Sequence, residues 1–230
     1  MSDLPYSTIL VSDADAEEFL QGQLTADLRE LPDIGPQRSA WCNPKGRVIC
    51  VMALARENDN FLLTLPTELA EHVIQRLTMY RFRSKVDFDL RGAHADELLD
   101  WKPGDEFAEW RLGQLRAGVA EIYGAQSEQF TPHMLNLDLL GAVSLDKGCY
   151  TGQEIIARTY YRGASKRRLH RFVSSEPVSP GDKVSDGDRN VGEVVNAIAC
   201  DLLAVVAVDK AGGTLATGSI GLTHIPLPCL

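Results

Sequence analysis

Lys147-Gly148-Cys149-Tyr150-Thr151-Gly152-Gln153-Glu154 is the stretch on which the reading of this chain turns. It sets a cysteine beside a lysine at what reads as the start of a helix. Thr151 and Glu154 stand at capping-box spacing, so the Thr hydroxyl can accept from the backbone N–H of Glu154 while the carboxylate reaches back. Ile155 and Ile156 then open an apolar face. On this reading Cys149 lies just outside the positive end of the helix dipole, with an ammonium two residues away, and both effects favour thiolate.

Working outward, the 230 residues suit one domain plus a smaller one. No run approaches the roughly 20 apolar residues that span a bilayer, and direct membrane binding is not expected. Met1-Ser2-Asp3-Leu4-Pro5 lacks the basic flank and apolar core of a signal peptide, so a cytoplasmic location is the simplest inference. The five cysteines (Cys42, Cys50, Cys149, Cys200, Cys229) are scattered without a C-x-x-C pair, against a disulfide framework or a closed zinc site. Cys50 and Cys200 sit in apolar runs and read as small buried hydrophobes, while Cys229 is penultimate. Only Cys149 has a context that asks for chemistry.

A formal net charge of −9 argues against general nucleic-acid binding. The charge is uneven: Arg158, Arg162, Lys166, Arg167, Arg168 and Arg171 follow the octapeptide with no acid among them. Such a stripe suits an anionic ligand or, alternatively, a solvated strand face.

The rest of the pattern mixes strands and helices. Tyr6–Val11, Arg38–Trp41, Arg47–Ala55, Phe61–Leu65 and Lys85–Leu90 read as strands, and a helix capped near Ser12 and Asp15 carries Phe19, Leu20, Leu24 and Leu28. Pro66 and Thr67 open a second helix with Leu69, Val73 and Leu77 at i, i+4, i+8, and Trp110–Gly118 reads as a short third. The layout is α+β, an antiparallel sheet covered by helices. Residues 91–109 form an acidic excursion. Beyond Lys166, short β-like runs at Leu169–Val173, Gly192–Ala199 and Leu202–Val208 suggest a small β-barrel or sandwich. We place the domain boundary within Gly163–Lys166, giving residues 1–164 and 165–230.

The octapeptide resembles the signature of the YgfZ-type folate-binding proteins, relatives of the glycine-cleavage T protein (aminomethyltransferase). Phe19-Leu20-Gln21-Gly22-Gln23-Leu24-Thr25-Ala26-Asp27 is similar to the family's N-terminal helix, and Asn43-Pro44-Lys45-Gly46-Arg47 to its strand connection. Ile155-Ile156-Ala157-Arg158, then Tyr161-Arg162-Gly163 and Lys166-Arg167, resembles the continuation past the signature. The resemblance implies ferredoxin-like and antiparallel α+β units around a central channel, with a C-terminal β-barrel and a shortened middle unit here. It also implies tetrahydrofolate, or a one-carbon derivative, bound in 1–164, and a role in assembling or repairing iron–sulfur client enzymes that indirectly supports tRNA thiolation.

Through the same resemblance, Trp110 and Tyr6 match two aromatic folate contacts, Tyr6 replacing a tryptophan. Glu154 matches an acid that holds the pterin edge, where parallel N–H donors suit a carboxylate. Arg158 and Arg162, four apart, suit a polyglutamate tail. Cys149 with Lys147 is the reactive candidate, read as redox nucleophile, transient iron ligand or structural turn; no resident metal is expected, since one cysteine does not hold a cluster. The alternative activity is a tetrahydrofolate-dependent one-carbon transferase. The stretch matching the transferase's aspartate, Leu65-Pro66-Thr67-Glu68-Leu69, carries no Asp.

Overall fold

The computed structural model describes residues 4–163, 165–187 and 189–228; Met1–Asp3, Ala164 at the expected boundary and Cys229 lie outside them. The fold is α+β, a five-stranded antiparallel sheet beside a closed six-stranded barrel. The sheet comprises β1 (Tyr6–Ser12), β2 (Gln37–Cys42), β3 (Val48–Glu57), β4 (Asn60–Pro66) and β5 (Asp87–Gly92), in the order β2-β3-β4-β1-β5. β1 runs between β4 and β5, with Tyr6 opposite Pro66 and Ser12 opposite Asp87. Alternation along β1 splits its residues between two faces. Ile9 and Val11 join the core that takes in α1 (Ala16–Gln21) and α2 (Thr67–Arg81), the latter through Leu69, Val73 and Leu77. Tyr6 and Thr8 point the other way, where the Thr8 hydroxyl meets Thr64 at 2.9 Å and donates to Glu97 at 2.6 Å.

The first helix is shorter than its apolar period predicts. It stops at Gln21, with Gly22 as C-cap, and Asp15 accepts from the Lys85 N–H instead of capping it. Leu24 and Leu28 stay buried outside it, because Leu24 bridges Trp41 and the Thr25 N–H donates to Ala40 O at 2.9 Å. Pairing with a strand supplies hydrogen bonds that override the helical period. At the sheet edge, β5 starts two residues later than Lys85, and Leu90 is 43 % exposed, not half-buried inward as its alternation predicts.

Between β5 and the octapeptide the described residues hold one α-helix, α3 (Phe107–Arg116), 3-10 turns and no strand. After α4 (Gln153–Arg162) come β6 (Arg167–Ser174), β7 (Lys183–Ser185), β8 (Asn190–Ile198), β9 (Asp201–Ala207), β10 (Leu215–Thr217) and β11 (Ile220–Ile225). The barrel order β10-β11-β6-β9-β8-β7 closes where Ala216 faces Ser185. The three expected β-runs are β6, β8 and β9. β7 and β10 are three residues each, below the length at which alternation registers. Cys200, read as buried, lies half-buried in the turn between β8 and β9.

The basic stripe is divided by the fold. Arg168 forks onto both oxygens of Asp138 at 2.9 and 2.8 Å and also reaches His133 O and Asn136 Oδ1. Arg171 pairs with Asp201 at 2.6 Å, and Arg158 with Glu154 at 2.8 Å. Only Arg162, Lys166 and Arg167 of the six lack an ion pair among the described residues. Half the stripe therefore binds the chain to itself. Arg168, with the Glu121–Asn196 pair, ties the barrel to the preceding segment.

Candidate functional site

The three segments that carry the family resemblance meet at one point. Gly22 O accepts from the Thr151 N–H at 3.1 Å, and Thr151 Oγ1 bonds Gln23 Oε1, which also accepts from the Trp41 indole at 3.3 Å. Asn43 Oδ1 accepts from the N–H groups of Lys45 and Arg47 and shapes the turn against which Gly152 packs. Lys147 is 4 % exposed; its Nζ donates to Leu24 O at 2.9 Å and Ala26 O at 2.6 Å, above the Tyr150 ring at 5.2 Å. Burial pulls the Lys147 ammonium down to about 8, against the nearby Asp27 carboxylate that favours the charge. The lysine thus holds the Gln23–Asp27 segment, and its two hydrogen bonds go to backbone rather than to the thiol.

The capping box does not form. Gly152 is the N-cap of α4, at φ 84°, without a side-chain cap bond; Thr151 is turned to Gln23 and Glu154 to Arg158. Only a glycine reaches that left-handed conformation cheaply, and it takes the place the threonine was expected to hold. Cys149 stands outside the helix, exposed and free, in a cleft of ≈ 540 Å³ shared with Pro44, Tyr80, Glu154 and Ala157. Among the described residues no group of three His, Cys, Asp or Glu is placed to hold a metal.

A second cavity lies on the Tyr6 face of the sheet. Tyr6 and Trp110 meet edge to face at 6.0 Å, and Phe107 stacks on Trp110 at 5.8 Å. Trp101 closes the cluster, and the Trp110 indole N–H donates to Leu99 O at 2.9 Å. Arg38, Thr64 and Gln114 also line the cavity, with Glu121 as its one lining carboxylate. Tyr6 OH and Gln114 Oε1 are buried there without a hydrogen-bond partner. Two such orphans against aromatic faces call for a ligand with polar edges, since buried polar groups are normally satisfied. Burial pushes the Glu121 carboxyl up to about 7, opposed by the Tyr123 hydroxyl donating to Oε2 at 2.8 Å. The Arg111 guanidinium, 3.0 Å from the same oxygen, also favours the charged form. The cavity's free space is ≈ 60 Å³, well short of the ~300 Å³ at which small-molecule pockets begin.

The fold therefore brings Tyr6 and Trp110 together and sets Glu154, Arg158 and Cys149 elsewhere; the two cavities share no lining residue. Glu154, expected at the pterin edge, has a side chain 82 % exposed and paired to Arg158. Arg158 and Arg162 do share a helical face, since α4 runs to Arg162, but Arg158 is engaged by Glu154. Gln114 and Glu121 are additions from the structure. Gln114, four residues after Trp110 in a predicted helix, was legible by spacing; Glu121, beyond that helix, was not.

No family model matches the chain. It is 32% identical to an uncharacterized protein of Haemophilus influenzae, over 73% of this chain and 70% of that protein. It is 29% identical to the tRNA-modifying protein YgfZ of Escherichia coli O157:H7, covering 82% of this chain and 77% of the relative. The same protein of Vibrio atlanticus is 27% identical, over 82% and 74% of the two chains. The crystal structure of glycine cleavage system aminomethyltransferase T from Bartonella henselae superposes with a TM-score of 0.73 at 16% identity, covering 98% of this chain and 84% of that one. With its signature segments joined in one hub and an antiparallel sheet beside a closed β-barrel, the chain is similar to the YgfZ tRNA-modifying proteins over most of its length and has the fold of aminomethyltransferase T.

Proposed function

We propose that this protein binds tetrahydrofolate, or a one-carbon derivative, between Tyr6 and Trp110, and that it serves the assembly or repair of iron–sulfur enzymes through the exposed Cys149. The observation that carries the folate reading is the aromatic cavity with two orphaned polar atoms, Tyr6 OH and Gln114 Oε1. A flat heterocycle would lie against the indole, with its polar edge towards Gln114 and Glu121. Bound folate would supply one-carbon chemistry; the chain's own groups position it and exclude water. The transferase reading lacks support, because Glu68 accepts from the Gly124 N–H and holds that turn. The iron–sulfur and tRNA role rests on kinship with the tRNA-modifying relatives and on the exposure of Cys149.

Glu121 gives the folate reading a pH signature. A carboxylate accepts two parallel N–H donors and its protonated form does not. Affinity for tetrahydrofolate should therefore rise about tenfold from pH 6 to pH 8, as a carboxyl titrating near 7 ionises. Calorimetric titration across that range checks it, with Glu121→Gln expected to flatten the profile. A flat wild-type profile removes Glu121 from the site. For the cellular role, Cys149→Ser should leave tetrahydrofolate affinity within about twofold, since the two cavities are separate, yet lower iron–sulfur enzyme activity in cells. Full complementation by that variant would leave the thiol idle.

A further inference from the structure

Arg168, at the start of β6, is held by the turn that ends at Asp138. Its guanidinium forks onto the Asp138 carboxylate at 2.9 and 2.8 Å and donates to His133 O and Asn136 Oδ1, both at 3.2 Å. Asn136 in turn donates to Leu169 O at 2.9 Å. These bonds dock residues 133–138, whose Leu135 and Leu137 lie in the core of the sheet unit, onto a strand of the barrel.

Two buried histidines flank this joint. His133 is 2 % exposed, and neither ring nitrogen has a hydrogen-bond partner among the described residues. His170, two residues along β6, is 8 % exposed; its Nδ1 meets His224 Nε2 of β11 at 3.3 Å, and its Nε2 has no partner. A neutral imidazole carries one N–H and an imidazolium two. The His170–His224 bond needs one bare nitrogen, so it is lost when both rings are charged. A charged His133 would bury two N–H groups without an acceptor, beside a guanidinium.

Burial is the largest effect on both rings: it holds His133 below its ordinary value and brings His170 down to about 4. Asp138 favours a charged His133, but both its oxygens are taken by Arg168, which opposes that charge. Asp27, Glu30 and Asp146, with Tyr160 and Tyr161 of α4, line the adjoining cavity, from which the buried His133 nitrogens are closed off. His170 lies opposite Ala204 of β9, and both His224 and Arg168 disfavour its charge. Elsewhere the barrel is tied by Asn196 to the Glu121 backbone and by Asp201 to Arg116. Asn196 does not titrate, and despite burial the bonds to Arg116 and Arg171 hold Asp201 below the usual carboxylate range.

We propose that this joint is an acid-sensitive release, in which protonation of His133 and His170 detaches residues 133–138 from β6 while the Asn196 and Asp201 ties keep the barrel attached. Both rings regain an ordinary value of about 6.5 once the joint opens. The open form therefore binds more protons below that pH. The joint is at full strength above it and weakens as pH falls towards 4.

The test is amide hydrogen exchange of the full chain from pH 7 to pH 5, each rate divided by its intrinsic value, with NMR titration of the histidine rings in parallel. The opening constant of residues 133–140 should rise about tenfold or more between pH 6.5 and pH 5, while amides of β3 and β4 stay within about twofold. His133→Leu and His170→Phe should each remove part of that rise. The wild-type rings give a readout that needs no variant: His133 and His170 should titrate below about 6.5. Either ring titrating at its ordinary value with the joint still closed would overturn the proposal. So would an opening constant that does not rise, an equal rise in β3 and β4, or the full rise retained in both variants.

Discussion

Gly152→Ala should lower the stability of the chain by about 3 kcal/mol or more, a fall in melting temperature of roughly 6–12 °C for a protein of this size. Two independent penalties combine. At φ 84° an L-residue is left-handed, which costs about 1–2 kcal/mol. The added Cβ would sit 2.6 Å from Asn43 O and 3.1 Å from the Gly46 Cα. Both are backbone atoms, and the turn that carries them is fixed: Asn43 N–H donates to Arg47 O at 2.8 Å, and Asn43 O accepts from Gly46 at 2.9 Å. Nothing there can swing aside as a side-chain end would. The control is Gly148→Ala in the same octapeptide, where a Cβ meets nothing within 4 Å. It should stay within about 0.5 kcal/mol. Thermal and urea unfolding of the two variants checks the pair; equal stabilities would mean that the hub is soft.

Trp110→Leu should weaken tetrahydrofolate binding by roughly 30- to 150-fold, equivalent to about 2–3 kcal/mol. The substitution keeps an apolar side chain in the cluster with Tyr6 and Leu98 but removes the indole plane and its bond to Leu99 O. Leucine is preferred to alanine because truncation of a buried tryptophan costs about 3–5 kcal/mol of folding stability and would confuse the readout. Glu154→Gln and Arg158→Ala supply the contrast and should each leave the affinity within about twofold. Their side chains are exposed, paired with each other, and absent from the aromatic cavity. Calorimetry on the three variants decides which end of the molecule holds the ring. A large loss in Glu154→Gln with none in Trp110→Leu would move the folate site to the octapeptide.

The octapeptide shows how differently the two levels of description speak. In the linear chain, Lys147 and Cys149 are two residues apart and read as a reactive pair. In the fold the lysine stem turns inward to two carbonyls of residues 24 and 26, leaving the cysteine outside. Spacing along a chain fixes how far apart two Cα atoms can lie, but not the directions in which side chains leave an irregular loop. The same limit applies to Thr151 and Glu154, four positions spanning a correct capping-box interval whose phase the left-handed Gly152 shifts by one residue.

Other parts were legible because one local rule governed them. The strands and α2 follow from apolar periods of 2 and 3.6 residues, and burial of Leu69, Val73 and Leu77 agrees with them. The barrel declared itself through β6, β8 and β9, whereas β7 and β10 exist only because neighbouring strands pair with them. By itself, then, the sequence determined the α+β class, the antiparallel sheet and the C-terminal barrel, and it carried the motifs of the family resemblance, all encoded in local periods and contiguous stretches. Tertiary structure alone decided that three distant motifs form one hub, that Tyr6 and Trp110 share a cavity with Gln114 and Glu121, and that Cys149 opens into another. Those juxtapositions depend on long-range packing and loop direction, which no local interval specifies.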